Sequence, residues 1–341
     1  MQVHTFNPLE DRRWSAFVEA HPHSSAFHTL PFLDALRRTY GYQPIVYTMS
    51  SPGEPLANGV VLCRVRSWLT GSRLVSVPFA DHCEPLVSSV SDRTAIFGAI
   101  QQTVRDGRFK YAQIRAIHPG PALPGASIEP RSFAFHTLDL TQPIDRLHRG
   151  FHRPVRRAER EGVCHESGRS RVLLEQFYSV LVTTRRRHKL PPQPISWFGN
   201  LVDCFGDRLT IHVASREGQV LAAILTLRHH NVLLYKYGAS DERFYRFGAM
   251  TFLLWKATLD AKDRGLSLLD LGRTDADNAG LATFKERLGA TRSTLTYVRW
   301  TETGHTISSG ARHVPGAAWI FARLPDELLV AAGKLLYRHM G

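Results

Sequence analysis

Between Leu268 and Ala290 the chain gathers residue types that could do chemistry at one place: Asp270, Arg273, Asp275, Asn278 and Lys285. A carboxylate can take or hold a proton, and an ammonium or guanidinium can stabilise charge growing on a carbonyl oxygen. The spacing makes convergence reasonable. An apolar run from Ser267 to Leu271 reads as a buried strand, Gly272 follows at once, and Arg273 to Asn278 reads as a polar loop. A short helix then carries Phe284, Lys285 and Arg287 and closes on Gly289, a position suited to a left-handed C-cap. Open sheets bind ligands at the carboxyl ends of their strands, where such a loop drops its polar side chains.

Other clusters are weaker. Asp81-His82-Cys83-Glu84 offers four metal-competent side chains, but adjacent residues cannot all face one ion. They read instead as a loop after a strand, lining an interdomain cleft. His148 and His152 are one helical turn apart without an obvious third ligand, so no metal is expected. Arg153, Arg156, Arg157 and Arg160 put three guanidiniums on one helical face. They could grip a phosphate-bearing substrate, and a solvated helix explains them about as well. Arg185 to Lys189 ends a helix, where cations favour the dipole, which is a simpler reading than tRNA contact. Neither a Gly-x-Ser-x-Gly elbow nor a P-loop occurs, which removes serine hydrolases and P-loop NTPases.

The elements that must position these groups follow from length and patterning. At 341 residues, 43% apolar and 21% charged, the chain suits a folded protein of two domains. A net charge of +13 favours contact with polyanions: nucleic acid, anionic lipid or a phosphate-rich co-substrate. Cys63, Cys83, Cys164 and Cys204 lie far apart, which fits a reducing cytoplasm better than a disulfide framework. The amino terminus lacks the pattern of a secretory signal, and no apolar run is long enough to span a bilayer. An amphipathic helix over 325–340 is expected to pack on the core; peripheral contact at the inner membrane face stays open.

The second half has the clearer grammar. Helices are expected at 172–189 and 195–205, strands at 209–215, 219–228 and 231–238, a long helix at 247–264 and a last strand at 293–300. Glu217-Gly218 and His229-His230 are short enough for hairpins. The first half has helices near 9–20 and 31–40, strands at 44–49, 59–65 and 73–77, a helix at 93–106 and a strand at 111–117. Another strand is expected at 133–140. The shared order suggests two related mixed α/β units, with the joint near Thr141 to Pro143.

That order of elements is the one found in the N-acetyltransferase (GNAT) superfamily. There, two parallel strands part in mid-sheet and expose backbone groups to an acyl donor; here they would be 231–238 and 267–271. Five segments together resemble the FemAB family, also described as BioF2-like, of tandem GNAT-fold acyltransferases. They are Ser24 to Phe32, Val77 to Leu86, Arg153 to Val163, Leu234 to Ser240, and the stretch with Phe284-Lys285 and Gly289-Ala290. The resemblance implies an α/β (α+β) fold of two tandem GNAT-like mixed-sheet domains with helices on both faces. The first would span 1–142, with a carboxy-terminal helix at about 318–341 packing back on it, and the second 143–317.

It also implies N-acyl transfer from an activated donor, acyl-CoA or aminoacyl-tRNA, to an amine acceptor in envelope or exopolysaccharide biosynthesis. No tightly bound cofactor is expected, and no DNA. Phe284 and Lys285 become the transfer-site candidates, with Tyr237 and Asp270 positioning the nucleophile. Arg243, Arg246, Gly248 and Arg273 would hold donor phosphates, and Asp81, His82, Arg153 and Arg156 the acceptor. The chain departs from the family in lacking a coiled-coil arm. Asp241 to Ala249 only approximates the usual phosphate loop, having a single glycine. The alternative is a catalytically silent GNAT-fold protein that binds RNA or serves at a membrane.

Overall fold

The structure is a computed structural model that describes residues 2–107, 109–117, 131–301 and 317–341. The first elements are β1 (His4–Phe6), α1 (Arg12–Ala20), α2 (Leu30–Tyr40), β2 (Gln43–Thr48), β3 (Val60–Val65), β4 (Arg73–Val75), α3 (Val90–Asp106) and β5 (Ala112–Ala116). Then come β6 (Arg131–Asp139), α4 (Ile144–Arg160), β7 (Cys164–Gly168), α5 (Arg171–Arg187), α6 (Ile195–Phe205), β8 (Leu209–Arg216), β9 (Gln219–His229) and β10 (Val232–Ser240). The last are α7 (Ala249–Asp263), β11 (Leu268–Thr274), α8 (Ala279–Arg287), β12 (Thr291–Trp300), α9 (Ala317–Arg323) and α10 (Asp326–Leu336).

Local chemistry sets many of these limits. The Asp11 carboxylate accepts from Arg13 N and starts α1; the expected start near Leu9 falls in the preceding turn. Gly41, at φ 72°, ends α2. Ser170 caps α5 by accepting from Leu173 N. Glu217 and Gly218, at φ 52° and 76°, make the two-residue turn between β8 and β9, where paired positive φ matches strand twist. The next hairpin differs from expectation. His229 still pairs with Val232, so the turn is His230-Asn231, with His230 at φ 49°. β7 had no expectation: Cys-His-Glu-Ser-Gly is a polar, mostly exposed edge strand with no apolar alternation to announce it.

The chain divides into two compact units. One comprises Met1–Phe133, Thr294–Ser308 and Leu336–Gly341, the other Ala134–Ser293 and Ser309–Leu335. The passage between them thus falls after Phe133, inside β6, and 141–143 lies within the second unit. The segment 318–341 is likewise divided. α10 lies in the second unit, with Gly333 against the Pro192 carbonyl, and only the last six residues join the first. There Arg73 Nε donates to the Gly341 carbonyl at 2.7 Å.

In the first unit the strand order is β1-β2-β3-β4-β5-β12. Its core includes Leu62, Leu74, Ile96, Ile100 and Trp300. In the second the order is β7-β8-β9-β10-β11-β6. Its core lies between that sheet and α4 and α7, with Phe151, Val155, Phe252, Leu253 and Leu269. The pairing senses match position by position: three antiparallel pairs, one parallel pair, then one antiparallel pair. Among the described residues each unit is therefore the same six-stranded mixed sheet.

Candidate functional site

The parallel strands β10 and β11 pair at Val232 with Leu268, Leu233 with Leu269 and Leu234 with Asp270. Among the described residues their mutual ladder stops there. On β10, Lys236 is an extra residue between the pairs Tyr235–Thr226 and Tyr237–Leu225 with β9. On β11, Leu271 and Gly272 stand opposite the single residue His136 of β6, between Asp270–Thr137 and Arg273–Phe135. Bulges bend a strand and re-aim its side chains. Here two of them, each towards an outer neighbour, part the inner edges at one level.

The parted end of β11 is braced from α8. Lys285, only 3% exposed, donates through Nζ to the Gly272 carbonyl at 3.0 Å, the Arg273 carbonyl at 3.1 Å and Thr274 Oγ1 at 2.9 Å. Three acceptors match the three N–H bonds of an ammonium, which is how the charge is tolerated inside. Asp270 is also buried, and its Oδ1 accepts from Gly272 N at 2.7 Å, with Gly272 at φ 71°. Phe284 is half-buried against the core. The Asn278 side chain caps α8 by accepting from Leu281 N at 3.1 Å. The strand runs on through Thr274, so the polar loop begins at Asp275 rather than at Arg273.

Two residues at this corner lay outside the sequence reading. Thr274 completes the Lys285 cage. His136 is fully buried opposite the β11 bulge; among the described residues neither ring nitrogen has a hydrogen-bond partner, and its Nε2 lies 3.6 Å from Glu286 Oε1. Burial first, and then the Lys285 charge, hold its pKa below the usual histidine value. Only the register of β6 on β11 reveals it.

The β10 bulge also separates two tyrosines. Tyr235 turns to the α7 side, where its hydroxyl meets Met250 Sδ at 3.8 Å, and burial pushes its pKa up to about 12. Tyr237 turns to α6. Its hydroxyl accepts from Trp197 Nε1 at 2.9 Å and its ring meets Phe198 edge-on.

Beyond β10 a 3-10 turn, Glu242–Phe247, leads into α7. Arg243 forks onto the Asp241 carboxylate at 2.6–3.1 Å, and that hydrogen bonding holds the Asp241 pKa below the usual range. Arg246 lies over the Phe247 ring. Gly248 is left-handed at φ 71°, and a Cβ there would come within 2.8 Å of the Pro154 carbonyl oxygen of α4. Gly248 stands at the N-cap of α7 and offers no side-chain cap bond, so this helix end suits an anion.

The remaining candidates lie elsewhere. Arg153 and Arg156 are exposed on α4. Asp81 and His82 belong to the first unit: the Asp81 carbonyl accepts from Tyr297 Oη at 2.7 Å, and His82 is buried against Phe27. The structure thus brings Asp270, Arg273, Phe284 and Lys285 to one corner and places Arg243, Arg246 and Gly248 at the entry to α7. Among the described residues no group of three or more His, Cys, Asp and Glu side chains could hold a metal. No described helix is long and apolar enough to cross a membrane.

Residues 146–286 match the acetyltransferase (GNAT) domain family. A stretch of 129 residues is 29% identical to a UDP-N-acetylmuramoylpentapeptide-lysine N(6)-alanyltransferase of Weissella viridescens, covering 36% of this chain and 37% of that protein. The matched part is thus little more than a third of that relative. Among solved structures, FemX has a TM-score of 0.64 at 15% identity, over 87% of this chain and 97% of its own. L-PGS from Bacillus licheniformis scores 0.58 at 16% identity, over 93% and 97%. A tandem GNAT protein from the clavulanic acid biosynthesis pathway scores 0.55 at 12% identity, over 88% and 98%. These findings bear out the tandem GNAT fold and the resemblance to FemAB-type proteins.

Proposed function

We propose that this chain is an N-acyltransferase whose second unit receives an activated acyl or aminoacyl donor. One observation carries the reading: β10 and β11 part beyond Leu234 and Asp270, next to a cage that fixes the parted edge. The donor's acyl arm would lie along those edges and its phosphates at the amino end of α7, beside Arg243, Arg246 and Gly248. An acceptor amine attacks the carbonyl carbon, a C–N bond forms, and the C–S or C–O bond to the carrier breaks. The amine proton leaves to a base or to solvent. Lys285 holds the β11 wall in place and sets a positive field at the oxygen that gathers charge. Asp270 keeps the Gly272 turn closed, and Tyr237, held by Trp197, fixes the opposite wall.

The relative's activity suggests an aminoacyl transfer to the lysine amine of a peptidoglycan precursor. The direct test supplies labelled acetyl-coenzyme A or alanyl-tRNA, each with UDP-N-acetylmuramoylpentapeptide or a simple diamine. The expected result is amide-bound label from one donor, lost in Lys285→Met. No transfer from either, with salt-dependent RNA binding indifferent to Lys285→Glu, would instead identify a silent RNA-binding protein.

A further inference from the structure

Helix α4 carries Arg146, Arg149, Arg153, Arg156, Arg157 and Arg160, all exposed. At 3.6 residues per turn they project within an arc of about 100° along a line of about 21 Å. The opposite side buries Leu147, Phe151, Val155 and Ala158, so the arginine side must face outward. Asp145 and Glu159 both lie beyond one edge of the arc. Arg157 donates to the Arg246 carbonyl at 3.2 Å, and among the described residues no ion pair engages any of the six. Like charges spaced three and four apart on a helix repel one another. A stripe of this density is stable beside a partner of opposite charge.

Two polyanions could fill that role, a nucleic-acid backbone or an anionic membrane, and the form of the stripe separates them. Sites that track a single-stranded nucleic acid combine a basic groove with exposed aromatic rings on which bases stack. Here the cations crown a convex helix, and among the described residues no Phe, Tyr or Trp of α4 lies within their arc; Phe151 is buried, His148 packs on Trp255, and the half-buried His152 lies beside Arg153 and Arg156 just outside the arc. A single ridge whose charges share one arc can bring them all against a plane at once. We propose that the α4 ridge docks this protein on an anionic lipid surface. The contact is electrostatic, with no apolar side chain inserted from the arc. It does not rest on the acyl-transfer reading.

The test is co-sedimentation of the full chain with vesicles of phosphatidylcholine alone and of phosphatidylcholine with phosphatidylglycerol. Wild type is expected to bind only the anionic vesicles and to release as salt rises past ~0.15 M, where the screening length falls to ~8 Å. Arg149→Gln with Arg153→Gln and Arg156→Gln should weaken binding about fivefold per arginine, on the order of a hundredfold together. Arg37→Gln with Arg38→Gln and Arg105→Gln removes the same charge elsewhere and should leave most of the binding in place. Circular dichroism checks that both triple variants fold. Equal losses in the two variants would reduce the effect to net charge and overturn the proposal. So would wild type ignoring anionic vesicles while an RNA duplex binds it and not the α4 variant.

Discussion

The two units carry the same parallel strand pair and treat it in opposite ways. In the first, β4 and β5 pair at Leu74 with Ala112 and Val75 with Gln113, and Ser76 N then donates to the Gln113 carbonyl at 2.8 Å. The chain next folds back through Val77 and Phe79, both left-handed at φ 44° and 61°, and returns to bridge Cys83 to Arg115. Arg115 Nη1 locks the fold-back by donating to the Val77 and Ala80 carbonyls. The first unit therefore covers the exposed edge of β5 with its own loop, at a cost of about 1–3 kcal/mol for each strained residue. In the second unit β10 continues to Ser240, still paired to β9, and β11 bends away to β6. Among the described residues, what sets the candidate acyl site apart is thus that no fold-back of the second unit pairs over the parted strands, more than any one catalytic side chain.

The largest effect that could break this contrast is at Gly248. Gly248→Val forces a branched residue into the left-handed region, at ~1–2 kcal/mol, and against the Pro154 backbone, at ~1–3 kcal/mol. Urea unfolding should show a loss of about 3 kcal/mol, and donor binding should go with it.

The two cations that tie carbonyls, Lys285 and Arg115, give the next comparison. Lys285→Met and Arg115→Met should each destabilise by about 2 kcal/mol, since both strand buried acceptors. Only Lys285→Met should lower kcat, on the order of a hundredfold. An equal fall in kcat for Arg115→Met would erase the distinction between the units.

Among the buried histidines of the described residues, His28 in the first unit and His212 in the second have their pKa pushed down by burial to about 4. The unfolded chain takes up these protons near 6.5, well before the folded one does. Their contribution is therefore complete above pH ~6.5 and is lost as pH falls towards ~4. The urea midpoint should drop across that window. His28→Gln and His212→Gln should each flatten part of the drop, measured by titrating unfolding from pH 7 to 4.

The smallest effect is at Arg243, whose side chain is largely exposed. Arg243→Gln should raise the donor KM severalfold with no measurable change in thermal midpoint.

Much of the frame was legible because it rests on local chemistry. α6 lies at 195–205 as read, β9 shows its apolar run, and Glu217-Gly218 is visible as a turn. The Phe284-Lys285 segment could be found as a helix beside a strand end. Its cage could not, because the acceptors at Gly272, Arg273 and Thr274 are set by how α8 lies on β11. Gly and Arg also weaken the strand signal just where β11 continues. The bulge at Lys236 was hidden for a similar reason: an alternating Tyr-Lys-Tyr looks like one face of a strand until pairing with β9 shows the slip. The assignment of β12 to the first sheet and β6 to the second is likewise set by long-range pairing.

Amide hydrogen exchange resolved along both strand pairs, with and without donor mimic, tests the contrast most directly. A thioether acyl-coenzyme A and an amide-linked aminoacyl-RNA serve as the two mimics. Protection is expected at Tyr235 to Ser240 and at Arg273 and Thr274 with one of them, while Ser76 to Leu86 of the first unit stays unchanged. Protection confined to Ser76 to Leu86, or none at β10 and β11 under conditions of turnover, would contradict the assignment of the open strand pair as the acyl site.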